Sequence, residues 1–166
     1  IQKRTAMNLA ASLLQLLPRQ IAVYTRFLDL LSEEQAALGL AAPAALENCT
    51  AERARLVAAL ETQDLELRTL FENAKTTFSA HAVKQLFATL AEPQRSQLAR
   101  LWQELLAIAA ECKKQNAVNS KIAGIRRQHT DRVLRILTGQ TALAGTTYAA
   151  DGRVQPGTAS VTLATA

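Results

Sequence analysis

The sequence predicts an all-α protein: an antiparallel long-helix hairpin or bundle, coiled-coil-like, with three to four main helices and a flexible C-terminal tail. Three observations predict it. Hydrophobic residues make up 49% of the 166, mostly Leu and Ala, while aromatics are only 4% and there are only 6 Gly and 4 Pro; this composition favours helix over sheet. Larger apolar residues recur with alternating spacings of four and three, the seam of a coiled-coil-like helix. From Gln140 onward that periodicity stops, and the chain becomes rich in Thr, Ala and Gly.

The first helix is expected over residues 3–38, with a seam of Ala10, Leu14, Leu17, Ile21, Tyr24, Leu28, Leu31, Gln35 and Leu38. Leu13, Leu16, Phe27 and Leu30 widen its apolar face, so it should pack against two neighbours. Pro18 either kinks this helix or opens a new one, because it lacks an N–H and clashes with the preceding turn. Gly39 is placed as a C-terminal cap and Pro43 as the start of the next helix. Over residues 43–73 the seam returns as Leu46, Cys49, Arg53, Leu56, Leu60, Gln63, Leu67 and Leu70. Two long helices joined by so short a turn must run antiparallel to bury their stripes. Arg53 and Gln63 are read as polar seam residues that fix register at some cost in stability.

Ser79 is expected to N-cap a short helix over residues 80–90 that carries Val83, Leu86, Phe87 and Leu90. Pro93 then restarts the chain at the first turn of the last helix, residues 93–138. Its seam reads Leu98, Leu101, Leu105, Ile108, Cys112, Gln115, Asn119, Ile122, Arg126, His129, Val133 and Ile136. Residues 1–139 form the helical domain and 140–166 the tail, whose larger apolar residues are Leu143, Tyr148, Val154, Val161 and Leu163. These bury too little surface to order the tail alone, although Asp151-Gly152 is a turn signal for a weak hairpin.

The net charge of +5 is unevenly spread: residues 43–73 hold three basic and six acidic groups, and residues 101–139 seven and three. The acidic second segment and basic last one are expected to be antiparallel neighbours. Such pairs choose orientation more than they stabilise, since exposed ion pairs contribute roughly 0–1 kcal/mol. The opening residues are not expected to be a signal peptide, because Asn8, Ser12 and Gln15 break the apolar run before Pro18-Arg19. No run reaches the length that spans a membrane.

No catalytic constellation is visible, so a binding protein is expected rather than an enzyme. Cys49 and Cys112 are too few for a disulfide framework and, with His81 and His129, lack the C-x-x-C or H-x-x-x-H spacing of a zinc site. They are read as buried free thiols of a reducing cytoplasm, with no metal and no cofactor. Glu33 and Glu34, or Glu61 and Asp64, occupy outward positions without a partner His. His129 falls in the seam, and Trp102 is read as core beside Leu101 and Leu105.

The polar patch Gln115 to Ser120 is either a register device or partner contact, or else a small-molecule pocket; polar seam residues favour the former. Lys113, Lys114, Lys121, Arg126, Arg127, Arg132 and Arg135 are either a solvated face meeting an acidic partner or a nucleic-acid face. Their scatter around the helix and the lack of interleaved aromatics favour the former. A structural, self-associating bundle subunit is a third class. Val133, Ile136 and Leu137 resist a core explanation, because the last helix is longer than the hairpin beneath it. An apolar stripe next to a disordered tail suits capture of a partner helix or unfolded segment.

The run Phe27 to Glu34 (FLDLLSEE), the run Leu46 to Leu60, then Gln115 to Ile122 (QNAVNSKI) and Tyr148 to Arg153 (YAADGR) resemble the FlgN family of flagellar type III export chaperones. Asn116, Asn119 and Ile122 match the family's N-x-x-N-G-apolar element, with Ser120 in place of Gly. Tyr148 to Arg153 matches its terminal Y-x-x-x-G-R-like element, with Ala149 in place of Asp. The resemblance implies a cytoplasmic chaperone without ATPase activity. It would bind the hook-filament junction (hook-associated) proteins, keep them from premature assembly and deliver them to the export gate/ATPase complex. It implies no nucleic acid or small-molecule substrate, and a monomer or weak dimer. The expected partner-binding residues are Val133, Ile136, Leu137, Leu143, Tyr148, Asp151, Gly152 and Arg153, with Tyr148 a candidate contact to the gate.

Overall fold

The computed structural model describes residues 3–138, 146–148 and 154–156. Among them are four helices, α1 (Lys3–Leu40), α2 (Pro43–Asn73), α3 (Ala80–Thr89) and α4 (Gln94–Leu137), and two short strands, β1 (Thr146–Tyr148) and β2 (Val154–Pro156). The architecture is the expected helical hairpin and bundle. The chain divides into two compact units, Ile1–Ser120 and Lys121–Ala166.

In the first unit α1 is one continuous helix with Pro18 inside it. The proline removes the donor that would meet the Leu14 carbonyl, a defect of about 3 kcal/mol in a helix interior. Burial on both sides offsets it: Leu13, Leu16 and Leu17 precede it and Leu30 and Leu31 follow, all essentially inaccessible, while Pro18 itself faces solvent. The buried face is centred nearer Leu13, Leu16 and Leu30 than the seam residues Leu14, Ile21 and Leu28, which are half-buried. The reason is that α1 has more than one neighbour, packing against both α2 and α3.

The α1–α2 turn differs from expectation. Gly39 remains helical, and Ala41 instead takes the left-handed conformation, with φ 54°. Ala42 N–H reaches back to the Ala37 carbonyl at 3.2 Å, the six-to-one bond of a Schellman ending. Buried Ala37 and Leu38 hold the helix past the glycine. Lys75, with φ 56°, ends α2 in the same way, where Thr76 N–H bonds the Phe71 carbonyl at 3.0 Å.

Ser79 caps α3, its hydroxyl accepting from Ala82 N–H at 3.1 Å. Glu92-Pro93 is a cis peptide, and Gln97 N–H bonds the Pro93 carbonyl at 3.2 Å, so Pro93 stands just outside α4 rather than in its first turn. The Glu92 carboxylate accepts from Arg95 at 2.9 Å and from the Ser96 amide at 3.2 Å, and also from the Ser96 hydroxyl. It therefore closes the start of α4, and these donors, the Ser96 hydroxyl foremost, hold its carboxyl below the usual range.

The core joins Leu9, Leu13, Leu16 and Leu17 of α1, Leu67 and Phe71 of α2, Val83 and Leu86 of α3, and Leu98 and Leu105 of α4. Phe78 links it to Trp102 through edge-on contacts, 5.1 Å from Phe71 and 6.1 Å from the indole. The ion pairs of acidic α2 run to α1 rather than to basic α4: Arg19 meets Glu66 at 3.2 Å and Arg26 meets Glu52 at 2.8 Å. Hairpin packing brings these side chains together first, because the connecting turn is so short.

In the second unit α4 runs on to Leu137, and Thr138 N–H bonds the Leu134 carbonyl at 2.9 Å. β1 and β2 pair antiparallel with Tyr148 opposite Val154, flanking the Asp151-Gly152 turn signal.

Candidate partner-binding surface

Along α4 the seam alternates two series, each recurring every seven residues. In the first, Leu98, Leu105, Cys112 and Asn119 are buried, Arg126 is half-buried and Val133 is exposed. In the second, Leu101, Ile108, Gln115 and Ile122 are half-buried, then His129 and Ile136 are exposed. The periodicity is uniform, whereas full burial ends at Asn119 and partial burial at Arg126.

At that boundary lies a polar layer. Asn119, 2% exposed, donates through Nδ2 to the Leu31 carbonyl and to Glu34 Oε2, both at 2.7 Å. Glu34 Oε2 also accepts from Arg53 Nη2 at 2.5 Å, and Arg53 Nη1 donates to Asn116 Oδ1 at 2.9 Å. Gln115 bonds Gln35 beside them, and the Arg53 guanidinium lies over the Phe27 ring, 5.7 Å from its centroid. Three helices are thereby tied at one level, with directional bonds that a slide of α4 by one residue would break. Asn116 and Asn119 both belong to this layer, and half-buried Ile122 follows one turn later.

Glu34 corrects the reading of it as an outward carboxylate. Its signal was in the sequence: it stands seven residues beyond Phe27, on the stripe that widens the α1 face. Glu33 likewise has a partner, Arg26, at 2.8 Å. His129, placed in the seam, is exposed, because burial has ended by that level.

Beyond Ser120, Ile125, Val133, Leu134, Ile136 and Leu137 are all exposed. Val133, Ile136 and Leu137 therefore lie near one another at the end of α4, at helical spacings of three and four. Tyr148 is in β1, while Leu143, Asp151, Gly152 and Arg153 lie outside the described residues.

Both cysteines are free and buried. Burial pushes their thiols up, Cys49 further under nearby Glu33 and Glu34, so each is a neutral thiol near pH 7 and a poor nucleophile. Cys112 Sγ donates to the Tyr24 carbonyl at 3.4 Å. Among the described residues no group of three or more His, Cys, Asp and Glu is placed to hold a metal, and no helix is long and apolar enough to cross a membrane. What this surface offers chemically is apolar and cationic side chains exposed together on the final turns of α4.

Comparison with curated proteins and with solved structures finds no match. The profile of the FlgN protein family matches residues 7–156, from the second turn of α1 through β2. With nearly the whole chain matched, this protein belongs to the FlgN family, the flagellar export chaperones.

Proposed function

We propose that this chaperone works in the cytoplasm, binds the hook-filament junction proteins before export, keeps them from premature assembly and delivers them to the type III export gate/ATPase complex. The observation that supports the reading is the exposed apolar end of α4, where Val133, Ile136 and Leu137 are 38%, 55% and 76% accessible. An amphipathic end of a junction protein lays its apolar face against these three side chains. The tail, led by Leu143 and Tyr148 with Asp151, Gly152 and Arg153, folds onto it and contributes contact at an ordering cost. Tyr148 then meets the gate, and the chaperone itself is a monomer or weak dimer.

Calorimetry with a purified junction protein tests this. Replacing Ile136 and Leu137 together by Ser removes on the order of 2 kcal/mol of apolar contact, so binding should weaken by tenfold or more. Unchanged affinity after truncation beyond Gly139 would remove the tail from the reading. Full export by a Tyr148→Ala variant would remove the gate contact.

A further inference from the structure

We propose that a groove around Trp102 is a second docking site, for an amphipathic helix of a partner protein that carries an apolar stripe, a cationic side chain at one end and a carboxylate at the other. Two cavities, of about 350 and about 590 Å³, share Phe78, Trp102 and Leu106 as walls. Leu106 is 55% exposed and the indole half-buried, so an apolar floor is open to solvent where four helices and the Phe78 loop meet. Each volume falls within the range of binding pockets.

The charges decide which helix fits. The first cavity is lined by Glu61 and Asp64, and by Gln20, 5% exposed, whose Oε1 has no hydrogen-bond partner. Two carboxylates favour a cationic side chain, even though Asp64 also accepts from Arg68 at 2.8 Å. A Lys or Arg of the partner meets Glu61 and Asp64. The second cavity has Lys84 as its charged lining residue, and α3 contains no acidic residue. The other end of the occupant is therefore acidic. All of these residues precede Ser120, so the site involves none of those proposed to hold the junction proteins and stands or falls separately from that reading.

Trp102 is the only tryptophan, and its emission reports occupancy in the full chain. The probes are synthetic helical peptides of about 14 residues, free of Trp and Tyr and sharing one Leu stripe. One has Glu in its first turn and Lys in its last, a second is uniformly Lys, and a third uniformly Glu. The expected result is a saturable blue shift, with the mixed-charge peptide binding roughly fivefold more tightly than either uniform one at low salt. Leu106→Glu should abolish the shift, and Lys84→Glu should move the preference to the all-Lys peptide. Absence of a saturable shift with any peptide, equal affinity for all three, or undiminished binding to Leu106→Glu overturns the proposal. A shift that follows protein concentration alone overturns it too, by making the occupant a second copy of this chain.

Discussion

The two parts of α4 on either side of Ser120 share one helix and one seven-residue repeat, yet they differ in nearly everything a repeat is usually taken to imply. Leu98 and Leu105 are enclosed, whereas Val133 in the same series is exposed, and Ile136 is exposed where Leu101 and Ile108 of its own series are half-buried. The later part needs no core to stay helical: extension from an anchored helix adds one bond per residue fixed, without a new nucleus. Helicity is thus a local property handed along the chain. Burial depends on what lies beside it, and the polar layer at Asn119 marks where full enclosure ends.

Substitutions on matched seam positions should break the comparison most sharply. Leu105→Ala leaves a cavity in the core and should cost about 2–5 kcal/mol in urea unfolding, whereas Val133→Ala, in the same series, should stay within about 0.5 kcal/mol. Similar losses at both positions would mean that the end of α4 is packed after all.

The boundary itself comes next. Asn119→Ala strips the Glu34 carboxylate and the Leu31 carbonyl of a donor and should destabilise by about 1–3 kcal/mol. Combined with Arg53→Met, the loss should be smaller than the sum of the single changes, because both act through Glu34. Strict additivity would dissolve the layer into separate contacts.

Gly124 should sharpen the contrast from the other side. A Cβ there meets nothing within 4 Å, so Gly124→Ala should raise helicity and add roughly 0.5–1 kcal/mol to the stability of that part of α4. Slower amide exchange across residues 121–137, with residues 94–112 unchanged, is the expected reading.

The smallest effect is electrostatic and belongs to the first unit. Arg26 holds Glu52, and Ser96 and Arg95 hold Glu92, below the usual carboxyl range. Lowered folded values contribute stability that is complete above the ordinary carboxyl value of about 4.3 and is lost as pH falls through the folded values. Unfolding midpoints should therefore drop below about pH 4, and Glu52→Gln with Glu92→Gln should flatten that dependence. An unaltered profile would show that these exposed pairs contribute nothing measurable.

Much of this was legible along the chain. Ser79 sits where a side-chain cap is needed, Pro43 where a missing N–H is harmless, and the spacing from Leu98 to Ile136 runs unbroken through α4. That Asn119 and Arg53 would be hydrogen-bonded was legible because polar groups in an apolar seam must find partners. Glu34 was harder, since its partners come from helices 19 and 85 residues away in sequence. Gly39 misled for a related reason: glycine is the usual left-handed cap, but buried Ala37 and Leu38 carried α1 on to Leu40 and left Ala41 to make the turn.

By itself the sequence determined the helices, their order and their apolar stripes, because 3-4 spacing, caps and prolines act over a few residues at a time. The membership of the FlgN family was equally legible, since it rests on residues in order. Only the tertiary structure decided where α4 stops being enclosed, which partners Glu34 takes in the polar layer, and that Trp102, packed against the core, is also half open to solvent. Those outcomes depend on how many neighbours a face acquires, and a repeat of identical spacing carries no information about when its neighbours run out.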